Sequence, residues 1–120
     1  MEKDKIKSIL TKLISKSSQI EAVAVMTRDG MPLVSRMDAE MDSGTLSAIS
    51  ASLLSLAERA LKDMSKGDLQ QVLIHGTGGF VILVGVGNNA VLSIISAFDS
   101  RLGMLLHEAR LSAREIADLL

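Results

Sequence analysis

An α+β fold in a single domain spanning residues 1–120 is what this sequence predicts. Three observations carry the prediction. Apolar residues recur at helical spacing in three segments. Five short runs of β-prone residues stand between them. Asp-Gly and Gly/Asn-rich connections suited to hairpins join those runs. The order is helix, two strands, helix, three strands, helix, with no linker, repeat or low-complexity segment.

Residues 2–18 read as a helix, because Ile6, Ile9, Leu10, Leu13 and Ile14 share one face while the lysines mostly take the other. Ile20 to Arg28 reads as a strand, with Ile20, Ala22, Ala24 and Met26 on one face and Val23 and Val25 on the other. Asp29-Gly30 is a hairpin turn, and Met31 to Arg36 is the return strand. Pro32 cannot donate to a ladder, which places that strand at a sheet edge. The loop Asp38-Ala39-Glu40-Met41-Asp42 is acidic, and Asp42 or Ser43 caps a helix running to about Ser65. Lys66-Gly67 closes it, with Gly67 at the C′ position. Strands Leu69–His75, Phe80–Val86 and Ala90–Ala97 then form an antiparallel meander. Phe80 to Val84 has no polar position, so it is expected to be a central strand covered on both faces. Asp99 or Ser100 caps a last helix whose stripe is Leu102, Leu105, Leu106, Ala109, Ala113, Ile116 and Leu120.

Composition excludes several function classes. At this length, about two-thirds of the unfolded surface is buried on folding, and 48% apolar residues suffice for a core without staples. Cysteine is absent, so disulfides, thiolate catalysis and Cys-ligated metals are excluded. Only Phe80 and Phe98 are aromatic, which leaves no base-stacking platform, and a net charge of −1 argues against a nucleic-acid partner. Uncharged stretches fall short of a membrane span, and Met1-Glu2-Lys3-Asp4-Lys5 does not read as a signal peptide; a cytoplasmic domain is the expectation. The lysine-rich first helix has an apolar face of core width, so it is not read as a membrane anchor. The seven methionines are scattered and read as gap fillers.

No enzyme signature emerges. His75 and His107 lie far apart without ligand-spaced companions, so neither is read as a metal ligand or base. Gly76-x-Gly78-Gly79 and Gly85-Val86-Gly87 lead into strands rather than helix N-termini, so they read as turns, not phosphate cradles. Asp38, Glu40 and Asp42 fit a solvated loop that complements a helix dipole better than a cation site. No catalytic residue, metal ligand or cofactor is assigned.

The middle helix is unusual. From Ser43 to Ala57 it carries no charge. Leu46, Ile49, Leu53, Leu56, Ala57, Ala60, Leu61 and Met64 are read as the face that packs on the sheet. Gly44, Ser47, Ala48, Ala51 and Ser55 then point away from it, either as a Ser/Ala-rich exposed surface or against a helix of another subunit. The missing charge favours the second reading. Strand Leu69–His75 has no Pro or Lys to block pairing with another chain.

These segments together resemble the Roadblock/dynein light chain family. The resemblance rests on Val23 to Leu33, the Ala/Ser/Leu helix from Gly44 to Met64, Gly67 to Ile74, Gly79 to Val86 and Leu102 to Arg110, in that order and spacing. It implies a profilin-like three-layer α/β/α sandwich with a five-stranded antiparallel sheet in the order 2-1-5-4-3. It also implies a homodimer formed through the middle helix and third strand. On that basis the second copy is expected to meet Gly44, Ser47, Ala48, Ala51, Leu54, Ser55, Glu58, Gln71, Leu73 and His75. Prokaryotic relatives are often partners or regulators of small Ras-like GTPases, so the implied function is a non-enzymatic scaffold that binds such a GTPase and modulates its nucleotide state. The alternatives are a small-molecule sensor of profilin- or longin-like architecture and a purely structural self-assembling subunit.

Overall fold

The computed structural model describes residues 2–37, 40–98 and 101–120. The predicted cap at Asp99 or Ser100, and Asp38 of the acidic loop, lie outside the described residues. Helix α1 (Glu2–Ile14) stops a turn before the predicted end. Its last turn tightens into i→i−3 bonds, Lys16 N–H to Leu13 O at 3.0 Å and Ser17 N–H to Ile14 O at 3.4 Å, which divert the chain into β1. Strands β1 (Ile20–Thr27) and β2 (Pro32–Arg36) form the first hairpin. Gly30 turns it with φ +91°, and a side chain there would meet the Ala48 Cα at 3.1 Å, so the turn packs directly on the second helix. Pro32 stands first in the edge strand, where a missing N–H costs no ladder bond.

Helix α2 (Ser43–Asp63) is capped by Asp42, whose carboxylate accepts from the Gly44 N–H at 2.9 Å, the Thr45 N–H at 3.3 Å and the Thr45 hydroxyl at 2.9 Å. At the other end the predicted Gly67 stop is corrected. Ser65 holds the left-handed position at φ 57°, and the Lys66 N–H reaches Leu61 O at 2.9 Å while the Ser65 N–H reaches Lys62 O at 3.2 Å. This is a Schellman closure on a serine, two residues before the glycine.

The Asp42 carboxyl is held below its ordinary pKa, chiefly by the Thr45 hydroxyl and then by the two backbone N–H groups. A depressed carboxylate stabilises the fold fully above its unfolded pKa of about 3.9, and that contribution is lost as pH falls through the lower folded value. Asp42→Ala is therefore expected to be less stable than wild type at neutral pH, with the difference shrinking as pH falls below the ordinary carboxylate range in urea titrations at a series of pH values. A constant difference down to acid pH would rule out this cap as the cause.

Strands β3 (Val72–Gly76), β4 (Gly79–Val86) and β5 (Ala90–Ser96) follow, then α3 (Leu102–Ala117). The sheet is antiparallel in the order β2-β1-β5-β4-β3, as the resemblance implied. Helices α1 and α3 cover one face. Ile6, Leu10, Leu13, Leu105, Ala109 and Ile116 meet Val23, Val25, Ile82, Leu92 and Ile94 there. On the other face α2 lies over Ala24, Met26, Leu83 and Val91. The strand most fully covered on both faces is β5, not β4: Val81 of β4 is only half-buried, at the margin of the cluster under α2. Leu69, predicted to begin β3, instead packs half-buried beside the core under α2, and pairing starts three residues later at Val72.

Candidate functional site

The orientation of the uncharged helix α2 differs from the sequence reading. Ser47, Ala51 and Leu54, expected to face a partner, are 1%, 3% and 0% exposed against the sheet, and Ser50 is buried beside them. Small side chains at Ser47, Ser50 and Ala51 let α2 sit close on the sheet, so the narrow face became the seat. Gly44, Ala48 and Ser55 remain exposed, but on the flank towards the first hairpin. Ile49 and Leu56, assigned to the core, are 53% and 63% exposed, and Met64 is exposed as well. They share the outward side with Ser52 and the exposed Arg59–Asp63 ion pair at 3.8 Å. That i, i+4 charge pair, three and seven residues beyond Leu56, was the signal in the sequence for which side faces water.

Leu46 and Leu53 are half-buried on the flank that reaches Val72 and Val81, and they connect Ile49 and Leu56 to β3. Among the described residues no strand lies beyond β3. The turn Thr77-Gly78 has two residues, so Gly76 and Gly79 exchange hydrogen bonds and the alternation continues through Ile74 and Val72. The main-chain groups of Leu73 and His75 therefore point outward, along an edge with no charge or bulge to blunt it. The side chains of Leu73, Ile74 and His75 are exposed. His75 also gathers both aromatics of the chain, with its ring centroid 5.8 Å from Phe80 and 6.3 Å from Phe98. Gln71 is not at the edge; its side-chain oxygen accepts from Arg110 at 2.8 Å, which ties the start of β3 to α3.

Glu58 is also placed differently from expectation. It accepts from Arg28 Nη1 at 2.6 Å, and the Nη2 of the same guanidinium donates to Gly87 O at 3.1 Å. Arg28 thus links the end of β1, α2 and the β4–β5 turn. No sequence rule pairs residues thirty apart, so this cluster was not foreseen. Among the described residues, no group of three or more His, Cys, Asp or Glu side chains converges, and no helix is long and apolar enough to cross a membrane.

Helix α2 thus lies over one face of the five-stranded sheet with exposed Ile49 and Leu56 beside the open β3 edge. The sequence profile of the Roadblock/LC7 domain matches residues 6–96. The chain belongs to the Roadblock/LC7 family. An uncharacterised protein of Methanocaldococcus jannaschii is 24% identical over 105 residues, covering 88% of each chain. Among solved structures, the gliding protein MglB of Thermus thermophilus superposes on this Roadblock domain with a TM-score of 0.85 at 13% identity, over 98% of this chain and 90% of that one. An MglB in a tetrameric arrangement superposes with a TM-score of 0.86 at 15% identity, over 98% and 89%. At such identities the superpositions establish the Roadblock fold and nothing finer.

Proposed function

We propose that this Roadblock domain is a non-enzymatic homodimeric scaffold that binds a small Ras-like GTPase and shifts the balance between its nucleotide states. The observation that carries the reading is the continuous surface of Ile49 and Leu56 on α2 beside the unblunted edge at Leu73 and His75. Two copies related by a twofold axis would pair β3 with β3 and bury both α2 stripes, making one sheet of ten strands. The tetrameric arrangement of a similar MglB supports self-association. The GTPase partner is supported by the resemblance to prokaryotic Roadblock proteins. With no nucleophile, base or metal cluster in this reading, the effect on the partner comes from binding alone, in the cytoplasm.

Light scattering tests the dimer. Wild type is expected at twice 12.8 kDa, and Leu56→Glu and Leu73→Lys at 12.8 kDa with folded circular dichroism spectra. Both positions are exposed in the single chain, so the substitutions leave its core intact. A wild-type monomer at high concentration, or variants of unchanged mass, would overturn the interface. A labelled Ras-like GTPase titrated in its GDP and GTP-analogue forms is expected to bind with at least tenfold different affinities. This chain alone, incubated with GTP or ATP, is expected to give no turnover.

A further inference from the structure

The basic charge of this chain is concentrated on one helix. Lys3, Lys5, Lys7 and Lys12 stand on α1 and Lys16 follows it, against Glu2 and Asp4. That is an excess of three positive charges in a chain whose net charge is −1. The other helices are balanced. Glu58 and Asp63 match Arg59 and Lys62 on α2, and Glu108 and Glu115 match Arg110 and Arg114 on α3. Ile6, Leu10 and Leu13 bury the inner side of α1 and leave Lys3, Lys5, Lys7 and Lys12 exposed. Among the described residues no carboxylate pairs with any of these lysines; the ion pairs lie at Arg28–Glu58 and Arg59–Asp63. Lys7 and Arg36 together line two adjoining depressions, so the cations continue from the helix to the end of β2; Asp4 and Glu21 are the acids there.

The layout of these charges says what they suit. Lys7 and Lys12 stand on opposite flanks of the outer side of α1, with the exposed Ser8, Thr11 and Ser15 between them. From Lys3 to Lys16 the charges extend along about 20 Å of chain, around both flanks rather than about one cleft. A folded acidic partner presents discrete carboxylates, which the fork of arginine holds best, yet all five cations of residues 2–18 are lysines. Lysines are mobile point charges, and a cluster of them suits a smeared negative surface such as a layer of anionic headgroups. Among the described residues α1 has no exposed large apolar side chain. The contact is therefore with headgroups, without insertion into the acyl region.

We infer that α1 and Arg36 form an electrostatic docking surface for a membrane that carries anionic lipid headgroups. Helix α1 lies on the sheet face opposite α2, so docking leaves Ile49 and Leu56 free. In the dimer proposed above, the twofold that pairs β3 with β3 and joins the α2 stripes puts both copies of α1 on the other side of the ten-stranded sheet. Two patches then reach one membrane, which strengthens binding without any new contact. That doubling rests on the dimer reading; the patch on each copy does not.

Flotation with vesicles of phosphatidylcholine alone, and of equal parts phosphatidylcholine and phosphatidylglycerol, tests the surface. The protein is expected to float with the mixed vesicles, at least tenfold more tightly than with the neutral ones, and to be released as salt is raised. Lys5→Glu combined with Lys7→Glu is expected to weaken binding at least tenfold. Both positions are exposed in the first half of α1, where the helix dipole favours a carboxylate, so the melting temperature is expected to hold. Lys62→Glu combined with Lys66→Glu makes the same change in net charge on the α2 side and is expected to bind as wild type. The monomeric Leu56→Glu variant is expected to bind more weakly with the same need for phosphatidylglycerol, which separates failure of the dimer reading from failure of this one. Equal binding to both vesicles, or equal losses in the two double variants, would overturn the surface. Polyglutamate or a DNA duplex bound as tightly as the mixed vesicles would replace the membrane by an acidic macromolecule.

Discussion

Gly79→Ala is expected to unfold the domain or to cost at least about 4 kcal/mol, a large part of the roughly 5–15 kcal/mol that a domain of this size has. Gly79 opens β4 at φ +146°, a conformation that side-chain-bearing residues rarely adopt. A β-carbon there would lie 2.1 Å from the Ser96 carbonyl oxygen and 2.9 Å from the Ala97 Cα. Both are backbone atoms at the end of β5, so relief requires the β4–β5 ladder to move. The neighbouring Gly78 supplies the control. It lies in the same turn, its φ is not positive, and an added β-carbon meets nothing within 4 Å. Gly78→Ala is expected to leave stability unchanged or to raise it by up to about 1 kcal/mol through the unfolded state. Urea titrations of both variants check the pair. Equal effects would mean that the turn tolerates side chains generally and that the Gly79–Ser96 approach does not constrain it.

Leu54→Ala is expected to cost about 2–5 kcal/mol, while Leu56→Ala, two residues away, costs less than about 0.5 kcal/mol in the single chain. Leu54 is the one large side chain among the fully buried residues of α2; the others are Ser47, Ser50 and Ala51. Among the described residues the Ser47 hydroxyl under the helix and the Ser93 hydroxyl of β5 have no hydrogen-bond partner, so they do not help to hold α2 in place. Truncating Leu54 removes contacts with the cluster of Ala24, Met26, Leu83 and Val91 and leaves a cavity that the sheet cannot close. Amide exchange in α2 should accelerate more than exchange in β5. The comparison belongs in a Leu73→Lys background, because a second copy seated on Leu56 would raise the cost of its truncation. Equal losses at positions 54 and 56 in that background would restore the orientation read from the sequence.

The difference between those two leucines marks how far the sequence could be read. Element order, the Asp29-Gly30 hairpin, the Pro32 edge and the Asp42 cap were legible, because each depends on φ preferences or hydrogen bonds spanning a few residues. That nothing blocks the edge at Leu73 and His75 was legible in the residues, while its place at the end of the sheet came from the strand order that the resemblance implied. The seat of α2 was not. Apolar periodicity puts the larger side chains inwards, whereas here close approach of helix and sheet selected the small ones. That left Ile49 and Leu56 outside and removed Ser47, Ala51 and Leu54 from the surface. The Arg28–Glu58–Gly87 link was equally out of reach, since it joins segments that only the finished sheet brings together.

The chain alone thus settled the order of helices and strands and that no Cys-based chemistry is possible, since each follows from residue type and near neighbours. Three-dimensional packing settled which side of α2 faces outward and that, among the described residues, Gly85 has a strand on one side only. The reason is distance and volume: both depend on how closely a helix and a sheet can approach, a quantity set jointly by residues far apart in the chain.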